Sequence, residues 1–243
     1  MTVLLLTLTG PLQSWGSASR FVRRGTEPAP TKSGVVGLLA AAQGRRRADP
    51  VEDLAALRFG VRIDQPGRLV RDFQTERRAD GTSLPLSYRF YLADAVFLAG
   101  LEGDATFLEG LADAIRRPVF PLFLGRRSCP PAGPLLPLVL DGTLEEVFRD
   151  RPWAAAAWYR RSREVRNLPE VRLETAVDAQ PADVGAVSVR DHPVSFDPEL
   201  RQYGWRSVAH GAVTVPGPAA GRAVATARGG GSGTHDPMAV FDR

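Results

Sequence analysis

Lysine, cysteine and histidine are all scarce in this 243-residue chain. Of 31 basic residues only Lys32 is a lysine, and Cys129 is the one cysteine. A single thiol excludes an intramolecular disulfide and agrees with a reducing compartment, so a cytoplasmic protein is expected. The three histidines, His192, His210 and His235, are scattered, and with Cys129 they make no zinc-ligand spacing. No G-x-S-x-G elbow and no Walker A sequence occurs, so neither metal nor cofactor is expected. No run of 18 apolar residues exists, and no membrane contact is expected. The opening MTVLLLTLTG lacks a basic segment and carries threonines at strand spacing, which reads as a buried strand and not a signal peptide.

What is present is arginine, and its placement is uneven. Residues 1–50 hold seven basic side chains (Arg20, Arg23, Arg24, Lys32, Arg45, Arg46, Arg47) against Glu27 and Asp49. Between Arg116 and Cys129 there are four arginines and no acid. Basic residues grouped near glycine loops suit a polyanion, and the planar fork of arginine suits phosphate. A solvated surface is the plainer reading of the same charges.

Pattern along the chain predicts an α+β protein. Thr2–Thr9 reads as a strand broken by Gly10-Pro11-Leu12-Gln13-Ser14-Trp15-Gly16. A helix is expected from Ser33 to Gln43, capped by Thr31 or Ser33 and stopped at Gly44. A short helix over Val51–Leu57 and a strand over Arg58–Asp64 follow. Leu69–Thr75 and Leu86–Leu92 alternate apolar and polar residues about the stretch Glu76–Pro85, forming a long hairpin. A buried strand is expected over Ala93–Leu101, an amphipathic helix over Thr106–Arg116 and a strand near Val119–Leu124. That β-α-β-β-α-β order is the ferredoxin-like, RRM-like pattern. Beyond it, helices are expected at Leu144–Asp150 and Pro152–Ser162, and strands at Val171–Val177, Ala186–Arg190 and Gly204–Val215. The expected organisation is a ferredoxin-like domain over 1–135, a smaller β-rich C-terminal region over 136–215, and a disordered tail over 216–243 rich in glycine and proline.

Three segments carry the chemistry. The glycine turn offers Trp15 either as a base-stacking ring or as a plug for the sheet edge, and the residues leave both open. Gly16 and Gly34 permit close approach of backbone to a ligand or serve the turns alone. Lys32 and Ser33 stand at a helix start, where amides and an ammonium group can meet phosphate. The loop Gly125-Arg126-Arg127-Ser128-Cys129 adds two arginines and a hydroxyl beside a proline stop. Catalysis has little to stand on: a metal-independent ribonuclease needs an acid and a base, and His192 or His210 on a strand is more often structural.

Together L-x-G-P-L-Q-S-W-G, P-T-K-S-G-V-V-G-L-L-A-A, L-G-R-R-S-C-P, R-D-F-Q-T and Y-R-F-Y-L-A-D-A resemble the CasD family of type I-E CRISPR surveillance complexes (Cascade), members of the RAMP superfamily. The resemblance covers residues 1–135 well and the rest weakly. It implies a ferredoxin-like fold with a protruding β-hairpin thumb, here at about Leu69–Leu92, and a smaller C-terminal region. It implies binding to the repeat-derived 5′ handle of crRNA, with the Cascade backbone subunit and the large PAM-recognising subunit as further partners. Carried onto this chain, the RNA-binding residues are Gln13, Trp15, Gly16, Arg20, Thr31, Lys32, Ser33, Gly34, Arg71, Tyr88, Arg89, Arg126, Arg127, Ser128 and Cys129, with Arg77 and Arg78 as further thumb candidates. Some type I-C relatives cleave precursor RNA, so a metal-independent endoribonuclease is the alternative. In type I-E a dedicated endonuclease makes that cut, and this chain is expected to be non-catalytic.

Overall fold

The computed structural model describes residues 1–16 and 23–220. Arg20 and the expected tail beyond residue 220 lie outside them. Its elements in chain order are β1 (Thr2–Thr9), β2 (Leu12–Gln13), β3 (Arg23–Arg24), α1 (Lys32–Ala42), α2 (Glu52–Ala55), β4 (Arg58–Gln65), β5 (Arg68–Gln74), β6 (Ser87–Ala93), β7 (Val96–Gly103), α3 (Ala105–Arg116), β8 (Leu138–Asp141), α4 (Leu144–Asp150), α5 (Ala157–Arg160), β9 (Glu170–Ala179), β10 (Val187–Ser195) and β11 (Gln202–Pro216).

Alternation along β1 explains its place at the centre. Leu4, Leu6 and Leu8 point to one face of the sheet and pack with α1 and α3, while Val3 and Leu5 point to the other and meet Leu144, Val147 and Phe148 of α4. A strand buried on both faces needs partners on both edges. β1 has them: Leu5 pairs with Gly100 of β7 and with Leu138 of β8, both antiparallel. The full sheet has seven strands in the order β10-β11-β9-β4-β7-β1-β8. The C-terminal strands thus extend the same sheet through β9, which pairs with β4.

Helix α3 is capped by Asp104, whose carboxylate accepts from the Phe107 amide, and it buries Leu108, Leu111, Ala112 and Ile115. Helix α4 starts in a capping box made by Thr143 and Glu146. Its other end is gripped by Arg62, a fully buried side chain that donates to the carbonyls of Phe148, Arg151 and Pro152 and forks onto Asp64. That clamp draws residues 152–156 along β4 in extended form.

Two expectations fail. Val119–Leu124 is no strand; the amides of Val119 and Phe120 instead donate to Ala42 and Ala41, capping the last carbonyls of α1 (3.0 and 3.2 Å). The strand that completes the β-α-β-β-α-β order is β8. The helix expected over Pro152–Ser162 is confined to Ala157–Arg160, because Trp153 donates to the Asp64 carbonyl (2.8 Å) and the Ala154 amide to its carboxylate (2.6 Å). The long hairpin is present: β5 and β6 pair antiparallel from Arg68 opposite Ala93 to Gln74 opposite Ser87. Every residue of β5 is exposed.

Candidate nucleic-acid interface

The three sequence motifs do converge, but they meet different fates. In the glycine turn, β2 pairs with the end of β6. Gln13 is fully buried; its Nε2 donates to the carbonyls of Leu8 (3.1 Å) and Ala95 (2.9 Å), and its Oε1 accepts from Trp15 Nε1 (3.1 Å). Ser14 links the turn to both neighbours, its amide donating to Leu124 (3.1 Å) and its hydroxyl to the Phe90 carbonyl (3.1 Å). Trp15 is wholly buried and lies against Gly34, where an added Cβ would stand 2.7 Å from the ring. Of the two readings of Trp15, the plug is the one seen: no face is free for a base. Gly16 is exposed beside it.

The helix start is closed by the protein itself. Thr31 caps α1 by accepting from the Gly34 amide (3.2 Å). The Lys32 amide donates to the carboxylate of Asp191 (2.8 Å), and Lys32 Nζ sits 2.8 Å from Asp178. Arg206 joins both acids, at 2.5 Å from Asp178 and 2.6 Å from Asp191. Asp191 therefore occupies the place where a phosphate was expected, and Thr31, Lys32 and Ser33 are all buried. Sequence reasoning missed Asp178, Asp191 and Arg206; their local pattern is ordinary strand, and only tertiary pairing brings them to α1. Burial and the nearby Lys32 charge hold the imidazole of His192 below its usual pKa in the same cluster.

The arginine loop stays open. Gly125 has φ +80° and its Cβ position is 2.0 Å from the Ser14 carbonyl oxygen, so no other residue fits this junction without moving backbone. Its turn is closed by the Cys129 amide donating to Arg126 (2.8 Å) and the Leu124 amide donating to Cys129 (2.7 Å). Cys129 is buried beneath it, and burial raises its thiol pKa. Arg127 and Ser128 are exposed. The Arg126 guanidinium lies over the ring of Tyr91 at 4.8 Å. Burial would raise the Tyr91 hydroxyl pKa, but Ser128 and Arg126 together hold it below its usual value.

Strand β3, which the sequence pattern did not reveal, brings two more arginines. It runs parallel to β6, with Arg23 beside Tyr88 and Arg24 beside Arg89. Arg23 lies over Phe90 (5.3 Å) and Arg71 of β5 lies over Tyr88 (5.5 Å). The Nε of Arg89 is buried with no hydrogen-bond partner among the described residues. None of Arg23, Arg24, Arg71, Arg89, Arg126 and Arg127 forms an ion pair with a described residue. Arg77 and Arg78 lie at the exposed tip of the hairpin. The result is a surface of guanidinium groups about β6 that form no ion pair with a described residue, three of them lying over aromatic rings. Among the described residues no cluster of histidine, cysteine, aspartate or glutamate is arranged to hold a metal ion. No helix there is long and apolar enough to cross a membrane.

Comparison with known proteins gives this surface a context. The "CRISPR system Cascade subunit CasD" of Escherichia coli (strain K12) is 37% identical over 154 residues, covering 54% of this chain and 68% of that protein. A solved structure described as "Crystal structure of Cas protein" is 38% identical, covers 89% of this chain and 99% of its own, and superposes with a TM-score of 0.67. A chain of a "CRISPR RNA-guided surveillance complex" is 33% identical, covers 88% and 91% respectively, and gives a TM-score of 0.70. Residues 3–209 match the family described as CRISPR-associated protein (Cas_Cas5). The chain belongs to the Cas5 family of CRISPR-associated proteins.

Proposed function

We propose that the protein is a non-catalytic RNA-binding subunit of a type I-E CRISPR surveillance complex, capping the 5′ handle of crRNA and helping the complex assemble for antiviral defence. The single observation that carries this reading is the set of arginines about β6 without an ion pair among the described residues, on a chain related to a Cascade subunit. Unneutralised guanidinium groups draw a polyanion, and binding releases the counterions condensed on its backbone.

The order β4-β7-β1-β8, with α1 and α3 on one face, supports a ferredoxin-like unit. The β5–β6 hairpin is its thumb, and β9–β11 form the smaller C-terminal region. Arg126, Arg127 and Ser128 hold the phosphates of the turned handle from one side of β6, with Arg23 and Arg24 beside them. Arg71, Arg89 and Tyr88 meet the RNA along the hairpin, where Tyr88 offers a ring for a splayed base. Gln13, Trp15, Thr31, Lys32, Ser33, Gly34 and Cys129 build the floor that sets these groups and do not themselves touch RNA. Leu69 (65% exposed) and Phe73 (64% exposed) on the hairpin support a protein contact there, which we assign to the backbone subunit. The large PAM-recognising subunit is the other partner, and the complex works in the cytoplasm.

An endoribonuclease is the lesser reading. His192 lies on β10 near the acids and cations that close α1, and His210 lies on β11; neither strand is in the sheet that holds β6. Co-purification of tagged protein from its host, with sequencing of bound RNA, tests the proposal. Uniform short RNAs sharing one repeat-derived 5′ handle are expected; heterogeneous RNA or none would remove the handle-capping role. Incubation of the pure protein with repeat RNA in EDTA should leave the RNA whole, whereas a discrete cut would establish the enzyme.

A further inference from the structure

A second arginine group lies away from β6. After the Arg62 clamp the chain runs along β4, and the Ala156 amide donates to Gln65 Oε1 (3.2 Å). Gln65 in turn donates to the Asp94 carbonyl at the base of the β5–β6 hairpin. Helix α5 and the following turn therefore sit at the end of the sheet from which the hairpin springs. There Ala157, Arg160, Arg161, Arg166 and Pro218 line an open pocket of about 490 Å³. The three arginines are exposed, and none pairs with an acid among the described residues. The floor beneath is packed: Trp153, Ala155, Leu173 and Val215 form a small buried cluster on which Tyr159 and Val165 pack.

Beside the pocket stands Trp158, 53% exposed. Its ring meets Tyr159 edge-on at 5.8 Å, and Tyr159 meets Trp153 edge-on at 6.1 Å. Trp158 is thus braced from the core while most of its surface faces solvent. A large apolar ring exposed within a turn of arginines has little to gain from water and much from a base. Guanidinium groups beside a braced aromatic ring are the two halves of a single-strand site: charge tracks the backbone, and stacking takes the base whatever its identity.

We propose that this pocket is a second contact for single-stranded nucleic acid, with phosphate among Arg160, Arg161 and Arg166 and a neighbouring base stacked on Trp158. The proposal rests on the RNA-binding reading above for the class of its ligand, and it adds a surface that the motif residues do not reach. An RNA strand leaving the hairpin base on this side of the sheet meets α5 next. Binding here is independent of sequence, so it lengthens the bound strand without reading it.

The test uses the full chain and a labelled single-stranded RNA of mixed sequence, titrated over a range of salt. The triple variant Arg160→Ala, Arg161→Ala, Arg166→Ala should weaken binding about tenfold and flatten the log–log salt slope by roughly one to two, at about 0.7 for each phosphate no longer neutralised. Trp158→Ala should weaken binding about fivefold or more and leave the slope unchanged, since stacking carries no counterions. Exposed arginines away from both surfaces, changed together as Arg46→Ala, Arg47→Ala, Arg117→Ala, control for net charge. Thiouridine-labelled RNA should crosslink to the peptide holding Trp158. If the triple variant and Trp158→Ala match the control while Arg126→Ala, Arg127→Ala weakens binding, the second site is wrong and the first stands. If the wild-type chain binds no RNA, both readings fall. A poly-glutamate peptide bound through these arginines, with RNA binding untouched, would make the pocket a protein site and overturn the proposal.

Discussion

The start of α1 and the loop at Gly125 carry the same promise in sequence: small residues, a hydroxyl and cations beside a turn. In the folded chain they part. At α1 the Lys32 amide and ammonium group are taken by Asp191 and Asp178, and Arg206 ties the two acids together. At the loop, Arg126 and Arg127 have no acid among the described residues, and Arg126 rests on Tyr91. The first is scaffold and the second is surface. Residue type proposes an anion site, but a site stays open only if the rest of the chain supplies no anion of its own.

The largest effects should come from breaking the closed side of this comparison. Asp191→Ala strands the Lys32 amide and half of Arg206 in a buried place, and loss of one partner from such a network costs about 3–5 kcal/mol. Denaturant unfolding should show that loss. Trp15→Ala should cost a similar amount, about 3–5 kcal/mol, by opening a cavity against Gly34. A stability change below about 1 kcal/mol in either variant would mean that these residues are not the floor described. In the folded fraction of the Asp191→Ala protein, RNA affinity should stay near the wild-type value.

The open side should behave in the opposite way. Arg126→Ala with Arg127→Ala should leave unfolding within about 0.5 kcal/mol of wild type, as for exposed positions, while RNA binding weakens and its salt slope flattens. Gly125→Ala lies between the two sides. It should lower both stability and binding, because the new Cβ must push the Ser14 carbonyl away from the loop. A smaller effect sharpens the closed side. His192 has a folded pKa below its unfolded value near 6.5, so the unfolded chain binds more protons as pH falls below that value. Stability should therefore decline below about pH 6.5, and His192→Gln should remove that part of the decline. An identical pH profile in the variant would show that the imidazole is not held neutral there.

How far the sequence could be read follows the same division between local and distant causes. Strand β1 and helices α3 and α4 announce themselves through period and caps, and the structure has them within a residue or so. Val119–Leu124 has the apolar content of a strand, but Pro121 denies it a ladder donor, the amides of Val119 and Phe120 cap α1, and that of Leu124 closes the loop onto Cys129. The short Leu138–Asp141, hidden behind prolines, makes β8 because β1 offers it an edge. Likewise the alanine-rich stretch at 152–156 has helix propensity, yet Asp64, Gln65 and Arg62 take its polar groups and hold it extended. At the site, the arginines were legible as a class. Which of them remain unpaired was not, since Asp178 and Asp191 lie 146 and 159 positions beyond Lys32. Arg23 and Arg24 read in sequence only as charge, and their parallel pairing with β6 is what brings them beside Tyr88 and Arg89.

The most direct measurement is the salt dependence of RNA affinity for three proteins side by side: wild type, Arg126→Ala with Arg127→Ala, and Lys32→Ala. A slope flattened by about one is expected for the loop variant and a wild-type slope for Lys32→Ala, whose effect shows only in stability. A flattened slope in Lys32→Ala with an unchanged slope in the loop variant would contradict that expectation, placing the phosphate at the helix start after all.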